Sequence, residues 1–174
     1  MVCLEEVVVI RAPIDRCFDL ARSVEVHLAH NIHSGESALA EAGVVSGLLE
    51  FGDCVTWRGR HFGLWHRLTA AITAMRRPEY FQDTMLRGPF RLMRHDHLFR
   101  ALGPDATEMR DLFRFAAPLG PLGRIAERLV LRCYMRALLR ERNAVIRRFA
   151  ESSAWRDYLP PAPLCPEAPT RWLS

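Results

Sequence analysis

The chain contains no lysine, and all 24 of its basic side chains are arginine. Arginine presents a planar fork suited to carboxylate or phosphate. A formal charge of +4 over 174 residues is nevertheless mild, and charge of that size speaks to solubility more than to a partner. A GC-rich coding bias accounts for the all-arginine set, and no nucleic-acid partner is expected. Paired cysteines are lacking too: Cys3, Cys17, Cys54, Cys133 and Cys165 are odd in number and scattered, with no C-x-x-C pair. That pattern argues against a disulfide framework or a zinc cluster and for reduced thiols in a cytoplasmic protein. No apolar run approaches the roughly 20 residues that span a bilayer. The first six residues carry two acids and no basic stretch ahead of an apolar one, so neither integral membrane association nor a secretory leader is expected. No internal repeat is present.

What the chain does have is a hydrophobic fraction of 49%, ample for one core. The expected organisation is one domain over residues 1–153 and a proline-rich tail over 154–174, where Leu159-Pro160-Pro161-Ala162-Pro163 opens an extended composition. Trp155, Tyr158 and Trp172 are aromatics that could pin part of this tail to the domain. Residues 4–12 are rich in β-branched side chains and stop at Pro13, giving a first strand and a helix start. A short helix through Ala21 and a second one capped by Ser23 follow. Residues 36–41 are a second strand. Five more are expected over 53–62, 66–75, 79–87, 91–101 and 106–116, broken at Gly63, Arg77-Pro78, Gly88-Pro89 and Gly103-Pro104-Asp105. Connections this short make successive strands hairpin neighbours.

Past Pro118-Leu119-Gly120-Pro121, the residues Leu122, Ile125, Ala126, Leu129, Cys133, Ala137, Val145 and Phe149 recur at three- and four-residue steps. This is the pattern of a long amphipathic helix whose stripe packs on the sheet. Arg124, Arg128, Arg132, Arg136 and Arg140 recur at every fourth position, a row expected to be a solvated back face.

Strand parity divides residues 53–115 into two faces. One bears Arg94, Asp96, Arg100, Glu108, Arg110 and Arg114. The other mixes Trp57, Met85, Phe99 and Phe113 with Asp83, His95, His97 and Asp111. Buried polar groups need partners or water, so this inner face reads as a pocket wall. Folding about Gly103 to Asp105 sets His97 opposite Asp111, and folding about Gly88-Pro89 sets Asp83 opposite His95, close enough for imidazole–carboxylate bonds. Four roles are open to the cluster. It can satisfy itself, orient an oxygen function of a ligand, act as a general acid–base pair on a carbonyl compound, or hold a metal. Metal sites need three or four converging ligands. His95-x-His97 offers two, acids could complete the set, and no third histidine is obviously near, so no metal or other cofactor is assigned. His61 and His66 flank the Gly63 turn and are expected to be solvated or packed on the hairpin. His27, His30 and His33 are expected to be exposed beside the second helix.

Strand, two short helices, six strands and a long terminal helix form an α+β helix-grip arrangement: a curved antiparallel sheet of about seven strands (β-α-α-β6-α) wrapped around a long C-terminal helix. At Val9-Ile10-Arg11-Ala12-Pro13, Cys17-Phe18-Asp19-Leu20-Ala21, Gly52-Asp53-Cys54-Val55-Thr56-Trp57, His61-Phe62-Gly63, Phe81-Gln82-Asp83-Thr84-Met85, Arg94-His95-Asp96-His97-Leu98-Phe99 and Pro118-Leu119-Gly120-Pro121-Leu122-Gly123, the chain resembles the START-like (SRPBCC) superfamily of pollen-allergen, lipid-transfer and polyketide-cyclase proteins. The resemblance covers about residues 4–151. It implies a pocket for a hydrophobic ligand and no single reaction. Trp57, Ile72, Phe81, Met85, Met93, Phe99, Met109 and Phe113 are expected to form the apolar wall, and Asp83, His95, His97 and Asp111 the polar end and the catalytic candidates. The expected partner is a lipid, quinone, polyketide or steroid-like molecule. The alternatives are a cofactor-free aromatase/cyclase or dehydrase, and a non-catalytic interaction module using its arginine-rich surface.

Overall fold

The structure, a computed structural model, describes residues 1–30, 37–39, 43–118 and 120–159. His33, Leu119, Cys165, Trp172, residues 36, 40 and 41 of the expected second strand and the tail from residue 160 lie outside the described residues. So do the side chains of His30, Leu122, Arg124 and Ala126. The elements are β1 (Val2–Ile10), α1 (Ile14–Ala21), α2 (Val24–His30), β2 (Ser37–Ala38), β3 (Cys54–His61), β4 (Leu64–Arg76), β5 (Tyr80–Arg87), β6 (Leu92–Gly103), β7 (Ala106–Ala116), α3 (Gly120–Ala126) and α4 (Arg132–Ala150). A π-helical turn at Glu127–Leu131 joins α3 to α4, and a 3-10 turn at Ser153–Asp157 follows.

All seven strands form one curved antiparallel sheet in the order β1-β7-β6-β5-β4-β3-β2. Register shifts in β4, between Thr69 and Ala70 and between Ile72 and Ala74, are the bulges that bend such a sheet. The parity expected from sequence holds along β7. Thr107, Met109, Asp111, Phe113 and Phe115 are all buried, while the intervening positions are half-buried. α1 starts after Pro13, and Ser23 Oγ accepts from Val26 N at 3.3 Å at the start of α2, the capping contact its position predicts. Phe18 of α1 stands edge-on to both Phe81 and Phe99, with ring centroids 5.5 Å apart in each pair. This is the favoured geometry for aromatic pairs, and it fixes one end of the interior.

The terminal helix differs from expectation. Ile125, Leu129 and Cys133 are exposed, and the buried face of α4 is Leu139, Arg142, Asn143, Ile146, Phe149 and Ala150. The π turn explains part of the change. It widens the helix at 127–131 and offsets the residues before it from those after it. The arginine row is only partly a free solvated face: Arg136 and Arg140 both reach Glu6 of β1, at 2.9 and 2.8 Å. Chain past α4 packs on the domain through residue 159. Trp155, Tyr158 and Leu159 join the core, and Tyr158 stacks on Phe149 with centroids 4.5 Å apart. The sequence boundary at 153/154 therefore falls inside a packed turn.

Candidate ligand site

Between the sheet's inner face and α4 lies a cavity of about 370 Å³. Its apolar lining includes Trp57, Ile72, Phe81, Met93 and Phe113 from the sheet and Leu138 and Leu139 from α4. Four of the predicted residues do not line it. Phe99 and Met109 pack in the core near α1, and Met85 packs against a separate cluster that includes Leu4, Ala70 and Phe115. Asp111 is fully buried behind the histidines. Parity assigns a side chain to the inner face of a strand, but the covering element decides whether that position meets a void. α1 covers the strand ends that bear Phe99 and Met109.

One wall is polar. The register sets His97 opposite Asp111 and Asp83 opposite His95, yet the side chains do not form two separate pairs. His95 Nε2 donates to Asp111 Oδ1 at 2.9 Å, and His97 Nδ1 donates to the same oxygen at 2.8 Å. The far ring nitrogens turn towards Asp83: His97 Nε2 lies 2.8 Å from its Oδ2 and His95 Nδ1 3.9 Å. The two imidazoles lie almost against each other, with centroids 3.8 Å apart. Asp111 thus anchors both rings from behind while Asp83 faces them from the cavity side. Asp111 Oδ2 has no hydrogen-bond partner among the described residues.

Arg142 of α4 completes the cluster, and sequence analysis missed it. It is buried, its Nη1 lies 3.4 Å from Asp111 Oδ1, and its Nη2 donates to the Ala21 carbonyl at 2.9 Å. A signal existed: Leu138, Leu139, Arg142, Ile146 and Phe149 recur at three- and four-residue steps, placing one arginine on an otherwise apolar face.

The electrostatics follow from burial and neighbours. Burial pushes the Asp111 carboxyl up, but the Arg142 and His95 charges and both imidazole bonds outweigh it and hold the group well below the usual carboxylate range. Asp83 is likewise lowered: burial opposes, while the His97 bond and the charges of His95, His97 and Arg142 prevail. Burial and the charge of His97 lower His95 from its ordinary 6.5, which favours a neutral ring.

The rim of the cavity holds further groups whose placement differs from expectation. His27 stacks on Trp57 with centroids 3.8 Å apart, and His61 Nδ1 lies 2.6 Å from the Tyr134 hydroxyl of α4. His27, His61 and His66 all line the cavity. At its floor, buried Arg22 donates to Asp19, to the Leu49 carbonyl and to Glu50 at 2.8–2.9 Å, fixing the α1–α2 junction to the loop before β3. On the opposite face of the sheet, Asp96 is surrounded by Tyr80, Gln82, Arg94 and Arg114. That ring accounts for an acid only 4% exposed on the outward parity.

No family model matches this sequence, and no curated protein matches it. Solved structures do. A START superfamily protein from Mycobacterium smegmatis is similar at 11% identity and a TM-score of 0.64, over 86% of this chain and 97% of that one. Zhui aromatase/cyclase from Streptomyces sp. R1128 is similar at 15% identity and 0.60, over 84% and 94%. Ara h 8.0201 is similar at 13% identity and 0.54, over 83% and 97%. Matches of this depth across nearly the whole length of each protein establish architecture: the chain has the START-like helix-grip fold.

Proposed function

We propose that the protein binds an apolar or amphipathic small molecule in the cavity, with an oxygen function of the ligand set against Asp83, His95 and His97 and its apolar body against Trp57, Ile72, Met93, Phe113 and Leu139. The observation that carries this reading is the contrast within one cavity. Its lining is largely apolar, while Asp83, His95 and His97 converge on one wall in direct contact with one another. Sites for small molecules combine apolar walls with a few placed polar groups, in volumes of about 300–1,000 Å³. The START-like neighbours support the same class of ligand. Native mass spectrometry of freshly purified protein tests it, with a retained lipid-, quinone- or polyketide-sized adduct expected. Leu138→Trp, which fills the cavity from α4, should abolish retention while the fold persists. No adduct and no thermal stabilisation by a library of apolar ligands would overturn the reading.

A second reading, a cofactor-free aromatase/cyclase or dehydrase, is supported by the carboxylate-backed His95, whose Nδ1 lies on the Asp83 side of the ring. It expects turnover of a polyketide-like carbonyl compound with a bell-shaped pH dependence, lost in His95→Ala. Unchanged turnover in that variant would refute it.

A further inference from the structure

We propose that Asp83, His95 and His97 form a binding site for one divalent first-row transition ion of the Zn²⁺ type, with its remaining coordination positions facing the cavity. The three residues can present ligand atoms that all lie within 4.8 Å of one another. The two measured edges from Asp83 Oδ2 are 2.8 Å to His97 Nε2 and 3.9 Å to His95 Nδ1. Ligand bonds of about 2.0–2.1 Å at tetrahedral angles put neighbouring donor atoms about 3.3 Å apart, so the observed edges bracket the required spacing. Small side-chain rotations would close the set around an ion.

The groups behind the triad carry the argument further. A metal-binding imidazole must offer an unprotonated nitrogen, and proteins secure this by bonding the other nitrogen to a carboxylate. Both histidines do this with one acceptor, Asp111 Oδ1, at 2.9 and 2.8 Å. With an ion bound, that bond would keep the proton on the rear nitrogen of each ring and free the front nitrogens as ligands, His97 Nε2 giving up its bond to Asp83. With neutral imidazoles, Asp83, Asp111 and Arg142 sum to one negative charge, which suits a dication. Without an ion, His97 has carboxylate oxygens at 2.8 Å on both ring nitrogens, an arrangement that a neutral ring with a single N–H leaves half-bonded. Two imidazoles with one carboxylate favour a borderline transition ion over Mg²⁺ or Ca²⁺. The ligands sit on adjacent paired strands, β5 and β6, so the site is held by the sheet. Three protein ligands leave at least one position open, and the open side is the cavity.

The test needs no organic ligand, so it stands or falls apart from the binding reading above. Chelator-treated full-length protein is titrated with Co²⁺ near neutral pH, then with Zn²⁺. One Co²⁺ per chain should bind, with the visible absorption of a four- or five-coordinate ion, and Zn²⁺ should displace it. His97→Ala and Asp83→Ala should abolish uptake, Asp111→Asn should weaken it about 10- to 100-fold, and Cys3→Ser/Cys133→Ser should leave it unchanged. Uptake that survives both ligand replacements, or none by the parent protein at tenfold excess, overturns the proposal. If the variants fail to fold, the parent decides. Its Co²⁺ form must show two strongly shifted, exchangeable imidazole N–H proton resonances, one per histidine, and their absence would overturn the assignment.

Discussion

Replacing Arg142 with methionine tests whether the cluster behaves as one coupled unit. The guanidinium lies 3.4 Å from Asp111 Oδ1, and both groups are buried. At an effective dielectric of 20 the pair's gross attraction is about 5 kcal/mol, and desolvation offsets much of it. Removing one partner of such a pair typically costs about 3–5 kcal/mol, because the other charge stays behind unpaired. Here both imidazoles still hold Asp111, and the Ala21 carbonyl loses its donor. About 3 kcal/mol is therefore expected for Arg142→Met in urea unfolding near pH 7.5. Asp111→Asn should cost about as much, since it strands Arg142 and both imidazoles. The double variant should lose about 2 kcal/mol less than the sum of the two, the coupling expected of residues sharing one network. Additivity within about 0.5 kcal/mol would mean that the two groups act independently, and the account of Asp111 as a shared anchor would fail.

Three further outcomes follow. Because burial lowers His95 in the folded protein, the unfolded chain takes up that proton first. Stability should therefore be intact above about pH 6.5 and fall below it, by up to about 1.4 kcal/mol per pH unit from this residue; His95→Asn should flatten the slope between pH 6.5 and 5, and an unchanged slope refutes the assignment. Asp96 on the outer face has its pKa lowered to about 2, burial being outweighed by bonds from Tyr80, Arg94 and Gln82. Its roughly 2 kcal/mol of stabilisation should be present above pH 4 and vanish as pH falls towards 2, so the stability advantage over Asp96→Asn at neutral pH should shrink over that window in acid titrations followed by circular dichroism. Phe99→Ala should cost about 3–5 kcal/mol of stability while leaving cavity occupancy in native mass spectra unchanged, since its ring packs against Phe18 away from the void; loss of adduct without loss of stability would return it to the ligand wall.

Much of the sheet was legible from the chain alone because its breaks are chemically marked. Glycine and proline at 63, 78, 88–89 and 103–104 fix where hairpins turn, and a period of two then fixes both facing and register. His95, His97, Asp83 and Asp111 could therefore be brought together before any coordinates existed. How the four share their bonds could not. Which oxygen takes which proton depends on rotamers and on the arginine arriving from α4. The helix was read less well for a related reason. Within the expected stripe, Leu129, Cys133 and Ala137 follow one another by steps of four, each drifting around the axis by about 40°, which carries that part of it off the true contact face, and no residue type announces a π turn. Arg142 is hard to read from sequence because a single arginine on a helix rich in arginine looks like any other, and only its partners, Asp111 and the Ala21 carbonyl, set it apart.

The widened turn at Glu127–Leu131 has the character of an insertion absorbed without a loop. Each residue of an α-helix advances about 100° around the axis, so deleting one residue there would re-phase α3 relative to α4. The outward-facing Ile125 and Leu129 would then swing round the cylinder while the polar hub on β6 and β7 stayed where it is. Leu131, at the end of that turn, borders the void. Chain length at this one place therefore bears on how the two helices cover the void, while the groups on β6 and β7 depend on the sheet alone.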